Sequence, residues 1–216
     1  MKKGVLICAY NEEKHIQKVV NQTLKQIREV IVVNDGSKDN TLKELKKTKA
    51  KIITYSKNKG KGYALKKGFV YAKKNKFDYL ILMDADGQHD PKEIPKFLKE
   101  IEKEKPDLII GTRTKRHSKM PYHRRATNFI PSLLVSAKGR KWVKDTQSGY
   151  RAIKIKSLND IKLKTSGYDL ESEILIKMMK QKKKIVPVPI KTIYGNEIST
   201  IHPIKDTIKF IKVLFR

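Results

Sequence analysis

Short apolar runs alternate along the chain with segments in which apolar residues recur at helical spacing. The runs are rich in Val, Ile and Leu, and such near-continuous hydrophobicity is typical of strands covered on both faces, as in a parallel sheet. They occupy residues 5–9, 30–33, 51–55, 79–83 and 108–112. Between them, apolar positions fall on one helical face, as in residues 94–101. This order predicts an α/β fold with a doubly wound, mainly parallel sheet and right-handed crossovers.

The alternation breaks down after about residue 113. Residues 113–125 read R-T-K-R-H-S-K-M-P-Y-H-R-R, a basic and poorly periodic stretch that predicts a mobile loop over the site. A helix is predicted through residues 171–180, and two prolines place the strand at residues 184–190 at a sheet edge. The tail, residues 206–216, fits either a core helix or a helix on a membrane surface.

Polar residues follow three of the predicted strands. Residues 10–12 come after the first strand, residues 34–37 after the second, and residues 84–88 after the fourth. Ligands of doubly wound sheets bind beyond the carboxyl ends of the strands. We therefore expect the three clusters, which are distant in sequence, to meet at one edge of the sheet.

Asp84 and Asp86 stand two residues apart where the chain leaves a buried strand, so both carboxylates can approach one centre. Oxygen ligands from Asp86 and Gln88 suit a hard cation, Mg2+ or Mn2+, which keeps coordination places for water and substrate phosphates. This stretch therefore predicts a site for a metal ion and a phosphorylated ligand.

The next acidic residue has a different predicted role. Asp90 is expected to cap a helix rather than bind a metal, because Pro91 and Glu93 complete a helix-start signal. His89, between the acidic turn and this cap, is predicted to be a surface loop residue.

The chain carries a large excess of positive charge. Its 50 Lys and Arg residues against 22 Asp and Glu residues give a formal net charge of +28, which attracts nucleic acid, anionic lipid headgroups or phosphorylated substrates. A lysine-rich solvated surface accounts for many of these charges equally well. The single cysteine, Cys8, excludes an internal disulfide and predicts a reducing compartment. No apolar run approaches the ~18–20 residues of a membrane span.

Four motifs occur in a definite order: A-Y-N-E-E (9–13), V-V-N-D-G-S-K-D (32–39), N-K-G-K-G (58–62) and M-D-A-D-G-Q (83–88). Together they resemble the inverting glycosyltransferases of the GT-A type, and most closely the polyprenyl-phosphate sugar synthases such as dolichyl-phosphate mannose synthase. G-T-R (111–113) and D-T-Q-S-G-Y-R (145–151) extend the resemblance, which covers roughly residues 4–190. It implies one GT-A domain over residues 1–216. Residues 1–113 would bind the nucleotide sugar and metal, and residues 114–216 the acceptor.

The resemblance also implies roles for single residues. The nucleotide would be bound by Ala9, Tyr10, Asn11, Glu12, Asp35, Lys61, Gly62 and Asp84. The metal and diphosphate site would be formed by Asp84, Asp86 and Gln88, and His202 could join it or be a plain loop histidine. The acceptor phosphate would be held by Arg113 with Arg124 or Arg125, because the arginine fork suits an oxyanion. Gln147 and Ser148 either join that phosphate site or form a structural turn.

The implied reaction moves a hexose from a nucleotide-diphosphate sugar to a polyprenyl phosphate at the cytoplasmic face of the membrane. A lipid phosphate is already ionised near neutral pH, so it needs positioning rather than a strong base. An alcohol acceptor would need a base, for which Asp145 and Glu171 are candidates. Catalysis is therefore predicted to depend on Asp86, Arg113 and Asp145.

Three other functions are compatible with parts of the sequence. Transfer to a soluble sugar or glycan would use the same fold. Nucleotidyl transfer also uses carboxylates with Mg2+, but it releases pyrophosphate. A non-catalytic basic nucleic-acid-binding protein would explain the net charge, yet aromatic residues make up only 7% and no recognition motif is present. Membrane contact is expected to be peripheral, through basic residues at an anionic surface.

Overall fold

Strands and helices alternate through residues 1–113, 145–167, 169–191 and 193, the residues that the structure, a computed structural model, describes. The strands are β1 (Lys3–Ala9), β2 (Val30–Asn34), β3 (Lys51–Thr54), β4 (Tyr79–Asp84), β5 (Leu108–Arg113), β6 (Arg151–Lys154) and β7 (Ile185–Ile190). The helices are α1 (Ile16–Leu24), α2 (Thr41–Lys46), α3 (Lys61–Lys74), α4 (Ile94–Glu104) and α5 (Leu170–Lys180). Short 3-10 turns span Pro91–Glu93 and Ile155–Leu158.

The seven strands form one sheet in the order β3-β2-β1-β4-β6-β5-β7. All neighbours are parallel except β6, which pairs antiparallel with both β4 and β5. The predicted doubly wound, mainly parallel sheet is therefore confirmed, and β7 lies at an edge as its two prolines predicted. Strand β6 was not predicted, because four residues, R-A-I-K, are too short to stand out as an apolar run.

Both faces of the sheet are buried, which explains the near-continuous apolar runs. Every residue of β2 is buried, and successive residues of β1 alternate between two apolar clusters on opposite faces. Leu6 packs with Leu65 and Phe69 of α3, whereas Val5 and Ile7 face the other cluster. The period of two in a strand produces this alternation.

Helix α3 lies unusually close to β1. A Cβ added to Gly68 would be 2.3 Å from Leu6 Cδ2, a separation that no side chain can adopt without moving its neighbour. Glycine therefore permits the helix to rest directly on the strand. Lys61, the first residue of α3, lies beside Asp84 at the end of β4 and therefore at the carboxyl edge of the sheet.

Two predicted helices are confirmed, although the first turn after Asp90 is a 3-10 turn and α4 itself begins at Ile94. Asp90 accepts a hydrogen bond from Lys92 N at 2.9 Å and so caps the turn that leads into α4. Helix α5 covers the predicted residues 171–180. No helix in the described part of the chain is long and apolar enough to cross a membrane. Arg113, the first residue of the predicted basic loop, ends β5, whereas the rest of that loop and the tail at residues 206–216 lie outside the described residues.

Glu173, on α5, ties that helix to the loop that precedes it. Its carboxylate accepts hydrogen bonds from Lys164 N, from Thr165 N and Oγ1, and from Lys177 Nζ. Burial alone would raise the pKa of Glu173, but these donors outweigh burial and lower the pKa to about 2. The carboxylate is thus a structural clamp that works in its ionised form.

This clamp predicts a specific loss of stability in acid. Because the pKa of Glu173 is lowered from 4.5 to about 2, the unfolded chain binds more protons between these values, and stability falls as the pH falls through them. We expect Glu173→Gln to lower the free energy of unfolding by roughly 1–3 kcal/mol at pH 7, because the donors lose a charged acceptor. Its unfolding free energy should also change less than that of wild type between pH 5 and 3, as measured by urea unfolding. The exposed Glu29→Gln is the control, and an unchanged pH dependence in Glu173→Gln would contradict the clamp.

Candidate active site

The loops after β1 and β2 are joined by hydrogen bonds. Asn11 N donates to Ser37 Oγ at 3.0 Å, Lys38 N donates to Asn11 Oδ1 at 2.9 Å, and Glu12 N donates to Thr41 Oγ1 at 2.7 Å. The two loops therefore form one rim at the carboxyl edge of the sheet, as the polar pattern predicted. Tyr10 is exposed on this rim, as a residue that is to meet a ligand must be.

Asp35, at the end of β2, holds the loop that leads into α3. Its carboxylate accepts hydrogen bonds from Lys59 N and Gly60 N, both at 2.8 Å, and from Asn58 Nδ2 at 3.1 Å. Gly60 has a φ of 91°, in the region that favours glycine. The observed role of Asp35 is thus to position the first residues of α3. Its predicted contact with a base or ribose stays a prediction.

A largely buried ammonium group joins three elements at the centre of the edge. Lys61 Nζ lies 2.5 Å from Asp84 Oδ1 at the end of β4 and 3.2 Å from Glu171 Oε2 in the first turn of α5. Burial alone would lower the pKa of Lys61, but the two carboxylates outweigh it and raise the pKa above the usual value. Burial likewise opposes ionisation of Asp84, yet Lys61 holds the pKa of this carboxyl below its ordinary value. All described contacts therefore favour a charged Lys61.

His89 contradicts its prediction as a surface loop residue. Only 9% of its surface is exposed, its Nδ1 accepts a hydrogen bond from Asp84 N at 3.0 Å, and its ring stacks on Tyr150 with centroids 4.8 Å apart. Burial lowers the pKa of His89 to about 4, so the ring is neutral near pH 7. The polar sequence around His89 hid this role, because the burial comes from Tyr150, which is distant along the chain.

The acidic turn after β4 is closed by its own side chains. Asp86 Oδ1 accepts a hydrogen bond from Gln88 N at 2.9 Å, and Gly87 has a φ of 80°, which glycine adopts without strain. Asp84, Asp86 and Gln88 thus lie together at the strand end. The turn also receives Ile193 N, which donates to Gln88 O at 3.0 Å and brings the chain after β7 to the same place.

Gly149 brings the segment before β6 into contact with this turn. A Cβ added there would lie 2.9 Å from Asp84 Oδ2 and 3.2 Å from Lys61 Nζ, so the glycine permits a close approach to the buried ion pair. Of its neighbours, Ser148 is buried and Gln147 is exposed. The predicted role of both in binding an acceptor phosphate stays a prediction.

Arg151 is a fully buried residue whose role sequence analysis missed. Its Nε donates to Ser148 O at 2.7 Å, its Nη1 to Glu171 O at 2.7 Å, and its Nη2 to Thr146 O at 2.6 Å. One guanidinium thus joins the segment before β6 to the first turn of α5. The only signal in the sequence was its place in the motif at residues 145–151.

Arg113 and Asp145, both predicted site residues, are bonded to each other. Arg113 N and Nε donate to Asp145 Oδ2 at 3.0 and 2.7 Å, and Nη2 donates to Oδ1. This bidentate geometry is the strong form of an arginine–carboxylate pair. Arg124, Arg125 and His202 lie outside the described residues, so their predicted roles stay predictions.

The donor set at the end of β4 fits a hard cation. Carboxylate and amide oxygens from Asp84, Asp86 and Gln88 are the ligands that Mg2+ and Mn2+ prefer. No group of three His, Cys, Asp or Glu residues in the described ranges forms a ready-made metal cage. Mg2+ usually takes one or two carboxylates from a protein and completes its shell with water and substrate phosphates.

Comparison with known proteins decides the family. The family model described as glycosyl transferase family 2 matches residues 4–162. The chain belongs to glycosyl transferase family 2. This chain is 35% identical to a UDP-N-acetylglucosamine–dolichyl-phosphate N-acetylglucosaminyltransferase from Methanococcus voltae, over 88% of this chain and 85% of the relative. It is 31% identical to a dolichol-phosphate mannosyltransferase from Pyrococcus furiosus, over 88% of this chain and 56% of that relative.

A solved structure shares the fold of this family 2 chain. Glucosyl-3-phosphoglycerate synthase from Mycobacterium tuberculosis, in complex with Mn2+, UDP-glucose and phosphoglyceric acid, matches with a TM-score of 0.78 and 19% identity. The match covers 99% of this chain and 78% of that one. The predicted GT-A type of α/β fold is thereby confirmed, and so is the predicted resemblance to glycosyltransferases.

The buried guanidinium of Arg151 predicts a large cost for a substitution that keeps its charge. Lysine cannot reach three carbonyl oxygens at once, and each buried acceptor left unpaired costs roughly 1–3 kcal/mol. We expect Arg151→Lys to lower the free energy of unfolding in urea by about 3 kcal/mol or more. Arg28→Lys, at an exposed position, is the matched control. Equal stability of the two variants would show that the three hydrogen bonds contribute nothing.

Proposed function

We propose that this family 2 glycosyltransferase moves a hexose from a nucleotide-diphosphate sugar to a polyprenyl phosphate, with a divalent metal and inversion at the sugar carbon. The observation that carries the proposal is the turn at Asp84, Asp86 and Gln88, which meets Lys61 and the first turn of α5 at the carboxyl edge of the sheet. Such an edge is where doubly wound sheets bind nucleotides.

The relatives support the lipid acceptor more strongly than any one sugar. The Methanococcus voltae protein is named for dolichyl phosphate and N-acetylglucosamine, and the Pyrococcus furiosus protein for dolichol phosphate and mannose. The lipid is common to the two names and the sugar differs. We therefore propose a polyprenyl phosphate acceptor and leave the hexose and the nucleotide base to experiment.

The proposed donor site runs along the rim of the sheet edge. The base and ribose would lie against the loops after β1 and β2, where residues 9–12 are joined to residues 37–41. The diphosphate would lie at the end of β4, beside Asp86 and Gln88. A metal held there, Mg2+ or Mn2+, would neutralise the charge that develops on the leaving nucleoside diphosphate. The related fold that binds Mn2+ together with UDP-glucose supports this choice of cation.

The acceptor phosphate would be held by Arg113. Asp145 binds one edge of its guanidinium, through Nε and Nη2, so the charge is presented in one orientation. Both oxygens of Asp145 are engaged in this pair, which favours an acceptor that is already ionised over an alcohol that needs a free base. We propose that the protein meets its lipid by peripheral contact at the cytoplasmic face of the membrane, where basic residues are attracted to anionic headgroups.

Replacing Asp86 tests the metal and donor site. Asp86→Ala is expected to lower transfer at least about 100-fold, because the diphosphate loses its metal. It should also remove the Mg2+-dependent or Mn2+-dependent thermal stabilisation by UDP or GDP that we expect of wild type. Asp90→Asn is the control, since asparagine also caps helices and Asp90 lies outside the proposed site. Wild-type turnover in folded Asp86→Ala protein would remove Asp86 from the mechanism.

Replacing Arg113 separates acceptor binding from donor binding. We expect Arg113→Ala to raise the KM for a polyprenyl phosphate roughly 10- to 100-fold, the equivalent of one hydrogen bond to a charged group. The dissociation constant of the nucleoside diphosphate should stay within about twofold of wild type. Arg113→Lys keeps the charge without the bidentate fork, so its KM for the polyprenyl phosphate should lie between the values of wild type and Arg113→Ala. Equal losses of donor and acceptor affinity would argue against a phosphate role.

A further inference from the structure

Glu171 carries an oxygen atom whose hydrogen-bonding capacity is unused. Only 8% of the residue is exposed, Oε2 faces Lys61 Nζ at 3.2 Å, and Oε1 is buried with no hydrogen-bond partner in the described part of the chain. A buried acceptor without a donor costs stability, so such an atom in a native fold calls for an explanation, of which a bound ligand is one. The position of this oxygen, one ammonium group away from Asp84, places the missing donor in the candidate active site.

The neighbouring acid on the same helix turn shows the contrast. Glu173 is buried to a similar degree, and its carboxylate is satisfied by donors from the loop at Lys164 and Thr165 and from Lys177. In the stretch E-S-E, Glu173 thus has a structural carboxylate with hydrogen-bond donors, whereas one oxygen of Glu171 has no described donor. Helix α5 itself does not require the open oxygen of Glu171, because its attachment is made by Glu173 and by the Arg151 contact to the Glu171 carbonyl.

The chemistry of the missing partner follows from what it must donate. A diphosphate and an ionised lipid phosphate have only acceptor oxygens, so neither can satisfy a carboxylate. The donor groups of a nucleotide sugar are the base N–H groups and the hydroxyls of the ribose and of the hexose. A hydroxyl donor near a charged acceptor makes one of the stronger hydrogen bonds in proteins.

The order of the strands indicates where the ribose and the hexose of the donor would lie. The loops proposed for the base and ribose follow β1 and β2, and the turn proposed for the diphosphate follows β4. Glu171 lies beyond that turn, because Arg151, the first residue of β6, binds its carbonyl oxygen, and β6 is the next strand after β4. In a nucleotide sugar the hexose is attached to the end of the diphosphate that is remote from the ribose. The hexose therefore lies on the side where Glu171 offers its open oxygen.

We propose that Glu171 is a specificity-determining residue whose Oε1 accepts a hydrogen bond from a hydroxyl group of the donor hexose. This inference rests on the proposed function, since it assumes a nucleotide-sugar donor. Lys61 orients the carboxylate through Oε2 and leaves Oε1 for the sugar. A site that hydrogen-bonds a substrate hydroxyl discriminates strongly against a sugar that lacks it, because the buried acceptor would then stay unpaired.

The test measures binding rather than turnover, so it needs no lipid. Calorimetric titrations with Mg2+ would compare UDP and GDP with UDP-N-acetylglucosamine and GDP-mannose on wild type, Glu171→Ala and Glu171→Gln. We expect Glu171→Ala to raise the dissociation constant of the sugar nucleotide that wild type prefers roughly 10- to 100-fold. The affinity for the matching nucleoside diphosphate should stay within about twofold. Glu173→Gln is the matched control, and it should lower stability and leave the ratio of the two affinities unchanged.

Deoxy analogues of the preferred sugar nucleotide identify the hydroxyl group. One analogue lacks the hydroxyl that Glu171 binds. Its affinity for wild type should be lower by the same factor as the affinity of Glu171→Ala for the complete sugar nucleotide. Its affinity for Glu171→Ala should not fall further, as expected for two groups that interact with each other. Glu171→Gln keeps the size of the side chain and should show an intermediate loss. It also serves as the folded variant if Glu171→Ala does not fold.

Other outcomes would overturn the inference and are distinct from one another. Equal losses for the nucleoside diphosphate and its sugar would make Glu171 only a partner of Lys61. Unchanged affinity of Glu171→Ala for the sugar nucleotide would overturn the inference and leave Glu171 only as a candidate base for an acceptor alcohol. If wild type binds none of the four nucleotides with Mg2+ or Mn2+, the proposed function fails with it, and that result is known before any variant is made.

Discussion

The ammonium group of Lys61 is the contact on which the arrangement of the site depends. It draws together the end of β4, the beginning of α3 and the first turn of α5, elements that are separated by long stretches of chain. The partly buried Asp84 and the buried Glu171 would repel each other, and the cation that they share offsets this repulsion. Gly149, which has no Cβ, leaves room for the Lys61 triad, the group formed by Lys61, Asp84 and Glu171. Arg151 fixes the backbone before β6 and in the first turn of α5.

The local charge of the site differs from the charge of the whole chain. The formal net charge is +28, yet the described sheet edge contains Asp35, Asp84, Asp86, Asp145 and Glu171. These acids have distinct tasks: Asp35 holds a loop, Asp145 orients an arginine, and Asp84 is paired with Lys61. A site that handles an anionic donor and an anionic acceptor needs cations in defined places, and paired acids are what define those places.

Local patterns were sufficient for most of the fold. The five apolar runs became β1 to β5, the prolines placed β7 at the edge, and Asp90 was recognised as a cap from its neighbours in sequence. The convergence of the polar loops followed from the sheet alone. His89, Arg151 and the Lys61 triad could not be predicted in this way, because each depends on partners that only the tertiary fold brings close. Strand β6 was not predicted for a related reason, since its pairing with β4 and β5, rather than its own composition, makes it a strand.

The Arg113–Asp145 pair has a consequence for how members of such a family could diverge. Residue 113 ends β5 and residue 145 opens the segment that leads into β6, and the two are bonded side by side. Residues 113 and 145, the described residues that flank positions 114–144, are therefore held side by side. The entropic cost of closing a chain segment grows only slowly with its length once its ends are held together. Because the Arg113–Asp145 pair fixes both ends, changes in the number of residues between positions 113 and 145 should leave the register of β5 and β6 unchanged.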